Sequence, residues 1–218
     1  MRLTITNYLD AISSWCFWAT PAWRELKERF GDRAEFRWKI ALMDESGMPR
    51  SRAQMKWFYQ RSGMVMRSPR MLNADWFEVG RKEFLPPNCV AEAARALGID
   101  DDRVWMAMLQ AALHDGKKIG DWEVASEVGR AASGLEKTEL LELARSPEIE
   151  ARVREMTAEF HALGVTQRPT FVIDTPIGDR AVFSGFAKTA PLAAAIDSML
   201  EDIAAYESFA AHFGEPPA

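Results

Sequence analysis

Cysteine, histidine and long apolar runs are scarce in this chain, and each shortage excludes a class of protein. Only two cysteines occur among 218 residues, Cys16 and Cys89, which excludes the disulfide framework of a small secreted domain. The three histidines lack the spacing of a metal site, so we predict no bound metal. No run approaches the ~18 apolar residues of a membrane span. No signal peptide is recognisable, and we predict a protein of the reducing cytoplasm.

Positive charge is also in short supply. The formal net charge is −5, with 27 Lys and Arg against 32 Asp and Glu. A chain of this balance lacks the basic surface that attracts nucleic acid or an anionic membrane, so we predict neither as a partner. The apolar content of 48% is that of an ordinary globular protein with a sizeable core.

The first 52 residues have the pattern of a strand, a helix and a second strand. Residues 3–9 form a short β-prone run, and from Trp15 the apolar positions recur at helical spacing until Gly31. Residues 34–43 predict the second strand, which ends in a continuous apolar run. Two strands joined through a helix form a right-handed parallel unit.

The middle of the chain contains no convincing strand. Helices are predicted at residues 88–97, 100–114, 121–132 and 146–163, each bounded by capping residues or glycine. Strands return at residues 169–173 and 181–183, and a helix at residues 189–206 closes the chain. We therefore predict an α/β fold in which residues 1–52 and 164–218 form one domain and residues 53–163 form an all-helical insertion.

The start of the first helix carries the residues best suited to chemistry. Ser13 or Ser14 is the predicted N-cap, which places Cys16 in the first helical turn. The unpaired N–H groups of a helix N-terminus stabilise a thiolate, whether it belongs to Cys16 or to a bound ligand that accepts a hydrogen bond from Ser13. Alternatively, the serines are only caps and Cys16 is a buried core residue. The residues alone leave both interpretations open.

Five segments resemble the DsbA-like thioredoxin-fold family, including its cytoplasmic members. The resemblance covers nearly the whole chain and lies in residues 10–17 (DAISSWCF), 88–95 (NCVAEAAR), 115–121 (DGKKIGD), 164–172 (GVTQRPTFV) and 183–186 (FSGF). The first is similar to the family's Asp-x-x-Cys-Pro-Trp-Cys-Tyr active-site turn. The fourth is similar to Gly-Val-Thr-Gly-Val-Pro-Thr-Phe-Val, whose proline is cis and faces that turn.

The resemblance implies a thioredoxin fold with a large helical insertion and a cis Arg168–Pro169 bond. It implies catalytic roles for Ser13 and Cys16. The residues that it implies for substrate binding are Ser14, Trp15, Phe17, Arg168, Pro169, Ser184 and Gly185. Arg168 stands where relatives carry small or apolar residues, and we expect it to favour an anionic substrate.

The chain departs from the family at its central position, because Ser13 replaces the first cysteine. A dithiol–disulfide cycle needs two thiols within reach, and Cys89 is not placed by sequence to substitute. We therefore expect Cys16 and Cys89 to be free. Serine at this position is similar to the kappa-class glutathione transferases and the 2-hydroxychromene-2-carboxylate isomerases, in which the hydroxyl binds the sulfur of glutathione. Residues 184–187 (SGFA) lack the Ser-Asp pair that holds the glutamyl end of glutathione in those relatives.

Two functions remain open at this point. The first is a thiol-dependent oxidoreductase, isomerase or transferase that uses glutathione, or another small-molecule or peptide thiol, at a Ser-x-x-Cys turn. The second is a redox-silent binding module that keeps the fold and binds a peptide or small molecule. The aromatic and methionine residues between Met55 and Phe84 are either core or the lining of an apolar cleft. A homodimer is one assembly that these interpretations allow.

Overall fold

A four-stranded mixed sheet lies at the centre of the computed structural model, which describes residues 2–69 and 71–214. Its strands are β1 (Leu3–Leu9), β2 (Ala34–Ile40), β3 (Thr170–Asp174) and β4 (Arg180–Ser184), in the spatial order β2-β1-β3-β4. The β1–β2 pair is parallel, whereas β3 runs antiparallel to both β1 and β4. This topology brings the start of β3, at Thr170, beside Tyr8 near the end of β1.

Eight helices accompany the sheet in the described residues. They are α1 (Ser14–Phe30), α2 (Arg52–Val65), α3 (Leu85–Ala96), α4 (Arg103–Leu113), α5 (Trp122–Ser133), α6 (Lys137–Ala144), α7 (Pro147–Ala162) and α8 (Thr189–Phe213). Helices α2 to α7 all lie between β2 and β3 in sequence, and no strand occurs among the described residues of that segment. The predicted order of βαβ, helical insertion and ββα is confirmed. The division of the chain into two domains stays a prediction.

The main hydrophobic core extends from the sheet into the inserted helices, and a smaller cluster (Tyr8, Ala41, Phe160 and Val172) packs separately from it. On α1 the apolar stripe that sequence periodicity predicted is buried, and Trp23 lies at its centre. The Trp23 ring packs edge-on against Phe36 of β2, with 5.2 Å between centroids, and lies 6.1 Å from Phe171 of β3. Burial of each large apolar side chain contributes about 1.5–3 kcal/mol. The packing therefore fixes α1, and the turn before it, on the sheet.

The observed elements differ from the predicted ones at several boundaries. Strand β2 ends at Ile40 and not at residue 43. The N–H groups of Leu42 and Met43 bind side chains and not the sheet, because Leu42 N donates to Thr157 Oγ1 and Met43 N donates to Asp10 Oδ2. Helix α6 was not predicted, since its eight residues give too short a periodic pattern. Helix α8 continues to Phe213, beyond the predicted end at residue 206.

Candidate active site

The turn between β1 and α1 ends in a serine that caps the helix. Ser13 Oγ accepts a hydrogen bond from Cys16 N at 3.3 Å, and Ser13 N donates to Asp10 O at 3.1 Å. Ser13, and not Ser14, is therefore the N-cap. The N–H groups of Ser14 and Trp15 have no acceptor within the helix, as at any helix start. The turn thus combines a fixed hydroxyl with the positive end of the α1 dipole.

Cys16 lies behind this turn and is buried, with 3% of its surface exposed. Burial raises the pKa of its thiol to about 12, although hydrogen bonds from the Ser13 side chain and the Asp10 backbone act in the opposite direction. Burial therefore counts against the interpretation in which the helix N-terminus makes Cys16 a stabilised thiolate, because desolvation outweighs the dipole, and a catalytic role of Cys16 stays a prediction. The alternative interpretation, a buried core cysteine, holds. Cys16 and Cys89 are both free and buried, as expected.

Asp10 and Asn88 form a buried, hydrogen-bonded pair that holds the turn in place. The Asp10 carboxylate accepts hydrogen bonds from Ile12 N at 3.0 Å, Met43 N at 2.6 Å and Asn88 Nδ2 at 3.2 Å. Asn88 Oδ1 in turn accepts from Ala11 N at 3.2 Å. Both side chains have no exposed surface, and burial raises the pKa of Asp10. The pair therefore joins the turn to the loop after β2 and to α3.

Sequence reasoning quoted Asp10 and Asn88 as members of motifs but assigned them no role at the site. A usable signal was present. Asn88 is a polar residue within the otherwise apolar start of α3, and Asp10 directly follows a buried strand. Buried polar side chains of this kind need hydrogen-bond partners, and the Asn88 amide can donate to the Asp10 carboxylate, which only accepts.

A cavity of about 190 Å³ opens beside Ser13. Its lining comes from the turn (Ile12, Ser13, Ser14, Trp15), the loop after β2 (Met43, Gly47, Met48, Pro49), α2 (Met55, Phe58, Tyr59, Arg61) and the residues before β3 (Thr166, Gln167, Arg168), together with Trp76. Part of the aromatic and methionine set that was expected to form either core or cleft therefore lines the cleft. Two arginines and no carboxylate face this space, so the cavity is electropositive in a chain of net charge −5.

Of the predicted site residues, the structure brings Ser13, Ser14, Trp15 and Arg168 together around this cavity. The Arg168–Pro169 bond is cis, as predicted. The Arg168 guanidinium donates to Ala41 O at 2.5 Å and to Thr166 O at 3.1 Å, as well as to the Leu42 carbonyl. Arg168 thereby fastens the end of β2, and its preference for an anionic substrate stays a prediction.

Four predicted substrate-binding residues, Phe17, Pro169, Ser184 and Gly185, do not line the cavity. Phe17 packs edge-on against Trp18, with 5.2 Å between ring centroids. Ser184 Oγ accepts a hydrogen bond from Thr170 Oγ1 at 3.2 Å, and the Pro169 carbonyl accepts one from Gly185 N at 2.8 Å.

Gly185 lies instead on a second cavity, of about 240 Å³, and Trp15 lines both cavities. Sequence reasoning gave no site role to several other residues on the first cavity, among them Met48, Arg61 and Gln167, and the loop after β2 and helix α2 carried no clear signal.

The family assignment follows from this turn, the cis-proline segment and the helical insertion. A family model described as a DSBA-like thioredoxin domain matches residues 4–197. The chain belongs to this family. A comparison with curated protein sequences finds no match. In the described residues, no helix has the length and apolar character to cross a membrane.

Solved structures of family members share the fold at low sequence identity. The cytosolic disulfide reductase DsbM from Pseudomonas aeruginosa has a TM-score of 0.73 and 19% identity, over 91% of this chain and 98% of its own. The structure of DsbM with GSH has a TM-score of 0.71 and 18% sequence identity, over 91% of this chain and 99% of its own. The oxidoreductase NmDsbA1 from N. meningitidis has a TM-score of 0.59 and 15% sequence identity, over 95% of this chain and 86% of its own. This DSBA-like protein is thus similar in fold to thiol oxidoreductases.

Proposed function

We propose that this protein binds a low-molecular-weight thiol, with glutathione as the first candidate, and activates its sulfur at Ser13 without a dithiol–disulfide cycle. The observation that carries the proposal is the contrast between Ser13 and Cys16. Ser13, with 5% of its surface exposed, lines the cavity at the start of α1, whereas Cys16 does not line it and burial raises the pKa of its thiol to about 12. The reactive sulfur must then come from the ligand.

The geometry suggests how the sulfur would be activated. Ser13 Oγ uses a lone pair to accept from Cys16 N, and its O–H can turn from the Cys16 thiol to donate to a sulfur in the cavity. The N-terminus of α1 adds a positive field. Both interactions favour the thiolate, so the thiol loses its proton to water and the thiolate attacks an electrophilic second substrate. Such a step fits an isomerase, a transferase or the formation of a mixed disulfide.

Size and similarity both support a thiol ligand of this kind. The cavity of about 190 Å³ is smaller than the ~300–1,000 Å³ of typical sites for drug-sized ligands, so it suits the thiol end of a larger molecule. DsbM, similar in fold, has been solved with GSH. That neighbour is described as cytosolic, and together with the two free cysteines it supports a cytoplasmic location.

The test is the pKa of bound glutathione in the wild-type protein and in Ser13→Ala. Loss of a hydrogen bond to a charged group costs roughly 1.5–3 kcal/mol, so the pKa of the bound thiol should rise by about one to two units. Thiolate absorbance reports this pKa, and the protein's own thiols do not contribute to it below about pH 10, because burial raises the pKa of both to about 12.

Ser14→Ala is the matched control, since Ser14 lines the same cavity but does not cap the helix. Its bound-thiol pKa should equal that of the wild type. Equal values in all three proteins would refute activation by Ser13. A protein that binds no thiol at millimolar concentration would instead support the redox-silent binding module, which the buried, unreactive Cys16 also fits.

A further inference from the structure

One arginine on the cavity beside Ser13 has no anionic partner in the protein. Of the two arginines that line this space, Arg168 donates to three backbone carbonyls. Arg61 forms neither a hydrogen bond nor an ion pair with any residue in the described ranges 2–69 and 71–214. By contrast, Arg52 on the same helix pairs with Asp75 at 3.1 Å. Arg61 therefore brings an uncompensated positive charge to the cavity.

Two aromatic rings hold the Arg61 guanidinium in place. Its Cζ lies 5.1 Å from the centroid of Trp57 and 5.0 Å from that of Phe58, within the range of cation–π contacts. Such contacts use the flat face of a guanidinium and leave the N–H groups at its edge available. A guanidinium held in this way loses less rotamer freedom when it binds a planar anion, and it can bind a carboxylate through two parallel hydrogen bonds.

We infer that Arg61 anchors a carboxylate of the thiol ligand, so that the site selects carboxylate-bearing thiols over neutral ones. This inference rests on the proposed function, because it concerns the same cavity and the same ligand. The segment at residues 184–187 lacks an acidic residue that could hold the amino group of a glutamyl end, and no Asp or Glu lines the cavity. The charged side chains that can bind a ligand in this cavity are therefore its two arginines. Of these, Arg61 is the one without a hydrogen bond or ion pair to the described residues of the protein.

The electrostatics of the cavity agree with this choice of ligand. An anion that enters the cavity meets two guanidinium groups and the positive end of α1, whereas no carboxylate lines the cavity to bind a cation. Because Arg61 is exposed, solvent and salt weaken its interaction with a carboxylate. We therefore expect about a tenfold contribution to affinity at low ionic strength, and a smaller one as salt is added.

The experiment compares glutathione with its diethyl ester, which has the same thiol but no free carboxylate. Dissociation constants are measured from the fluorescence of the tryptophans at the cavity for the wild type, Arg61→Gln and Lys56→Gln. Lys56 is the matched control, since it is an exposed cation on α2 that does not line the cavity.

The wild type should bind glutathione about tenfold more tightly than the diester. Arg61→Gln should weaken glutathione about tenfold and change diester binding less than twofold, while Lys56→Gln should change neither. Equal effects of Arg61→Gln on both ligands, or no effect on either, would overturn the role of Arg61 and leave the proposed function standing. A wild type that binds neither thiol would overturn the proposed function itself.

Discussion

Cys16 should resist alkylation in the folded protein, which sets this site apart from one with an exposed nucleophilic cysteine. The perturbation is treatment with iodoacetamide, which reacts with the thiolate form of cysteine. Burial raises the pKa of Cys16 from an ordinary 9.0 to about 12. At pH 8 the thiolate fraction then falls from about one in ten to about one in ten thousand. We expect alkylation about a thousandfold slower than that of an unperturbed thiol.

Burial should slow the reaction further, because only 3% of the Cys16 surface is exposed to the reagent. The assay is mass spectrometry of the Cys16 peptide after timed labelling of the native and the urea-unfolded protein. Cys89 is an internal comparison, since it is also buried and its pKa is also raised to about 12. Both peptides should label slowly in the native protein and rapidly after unfolding.

Ser14→Cys supplies the positive control. Ser14 is half-buried and lines the cavity, so a thiol at this position is within reach of the reagent and close to the α1 N-terminus. It should label rapidly in the folded variant while Cys16 in the same molecule does not. Rapid labelling of Cys16 in the native wild type at pH 6 would refute the reasoning, because it would require a stabilised, accessible thiolate.

Two further predictions concern stability. Because burial raises the pKa of Asp10, the folded state binds this proton more tightly than the unfolded state, and stability falls as pH rises through the folded pKa. The free energy of unfolding of Asp10→Asn should therefore increase relative to that of the wild type as the pH rises above the ordinary carboxyl pKa of ~4. Urea unfolding at several pH values measures this, and a constant difference would contradict it. Gly129→Ala would place a Cβ 2.5 Å from Val90 Cγ1 and 3.0 Å from Leu140 Cδ2. It should cost about 1–3 kcal/mol by overpacking, and unchanged urea unfolding would show that the helices can move apart.

The sequence predicted most of the fold because local signals coincide with the boundaries of its elements. Ser146 and Pro147 mark the start of α7, and Gly134 follows α5 with a positive φ of 77°. The end of β2 could not be predicted in this way. Leu42 and Met43 continue the apolar run, but their N–H groups bind side chains of α7 and of the turn, which are distant in sequence.

The site was predicted less completely, for a physical reason. The helix N-terminus that precedes Cys16 can be read from spacing, but the burial that decides its pKa depends on which residues of the insertion cover it. Likewise, Asp10 and Asn88 lie far apart in sequence, so their hydrogen bond follows only from the packing of α3 beneath the turn. Long-range contacts therefore decide the protonation states at this site.

Ser13 stands where the family's active-site turn has a cysteine, so in the proposed function the ligand supplies the sulfur, and the rest of the site is consistent with that proposal. The start of α1, the cis-proline segment and the polar pair beneath the turn keep the framework of a DSBA-like site. Cys16 is poorly suited to take over as nucleophile, because its thiol is buried and burial raises its pKa to about 12. A cavity with an available hydroxyl and an unpaired Arg61 is instead suited to an anionic thiol from solution. We therefore propose that sulfur chemistry here is brought by the ligand and only activated by the protein.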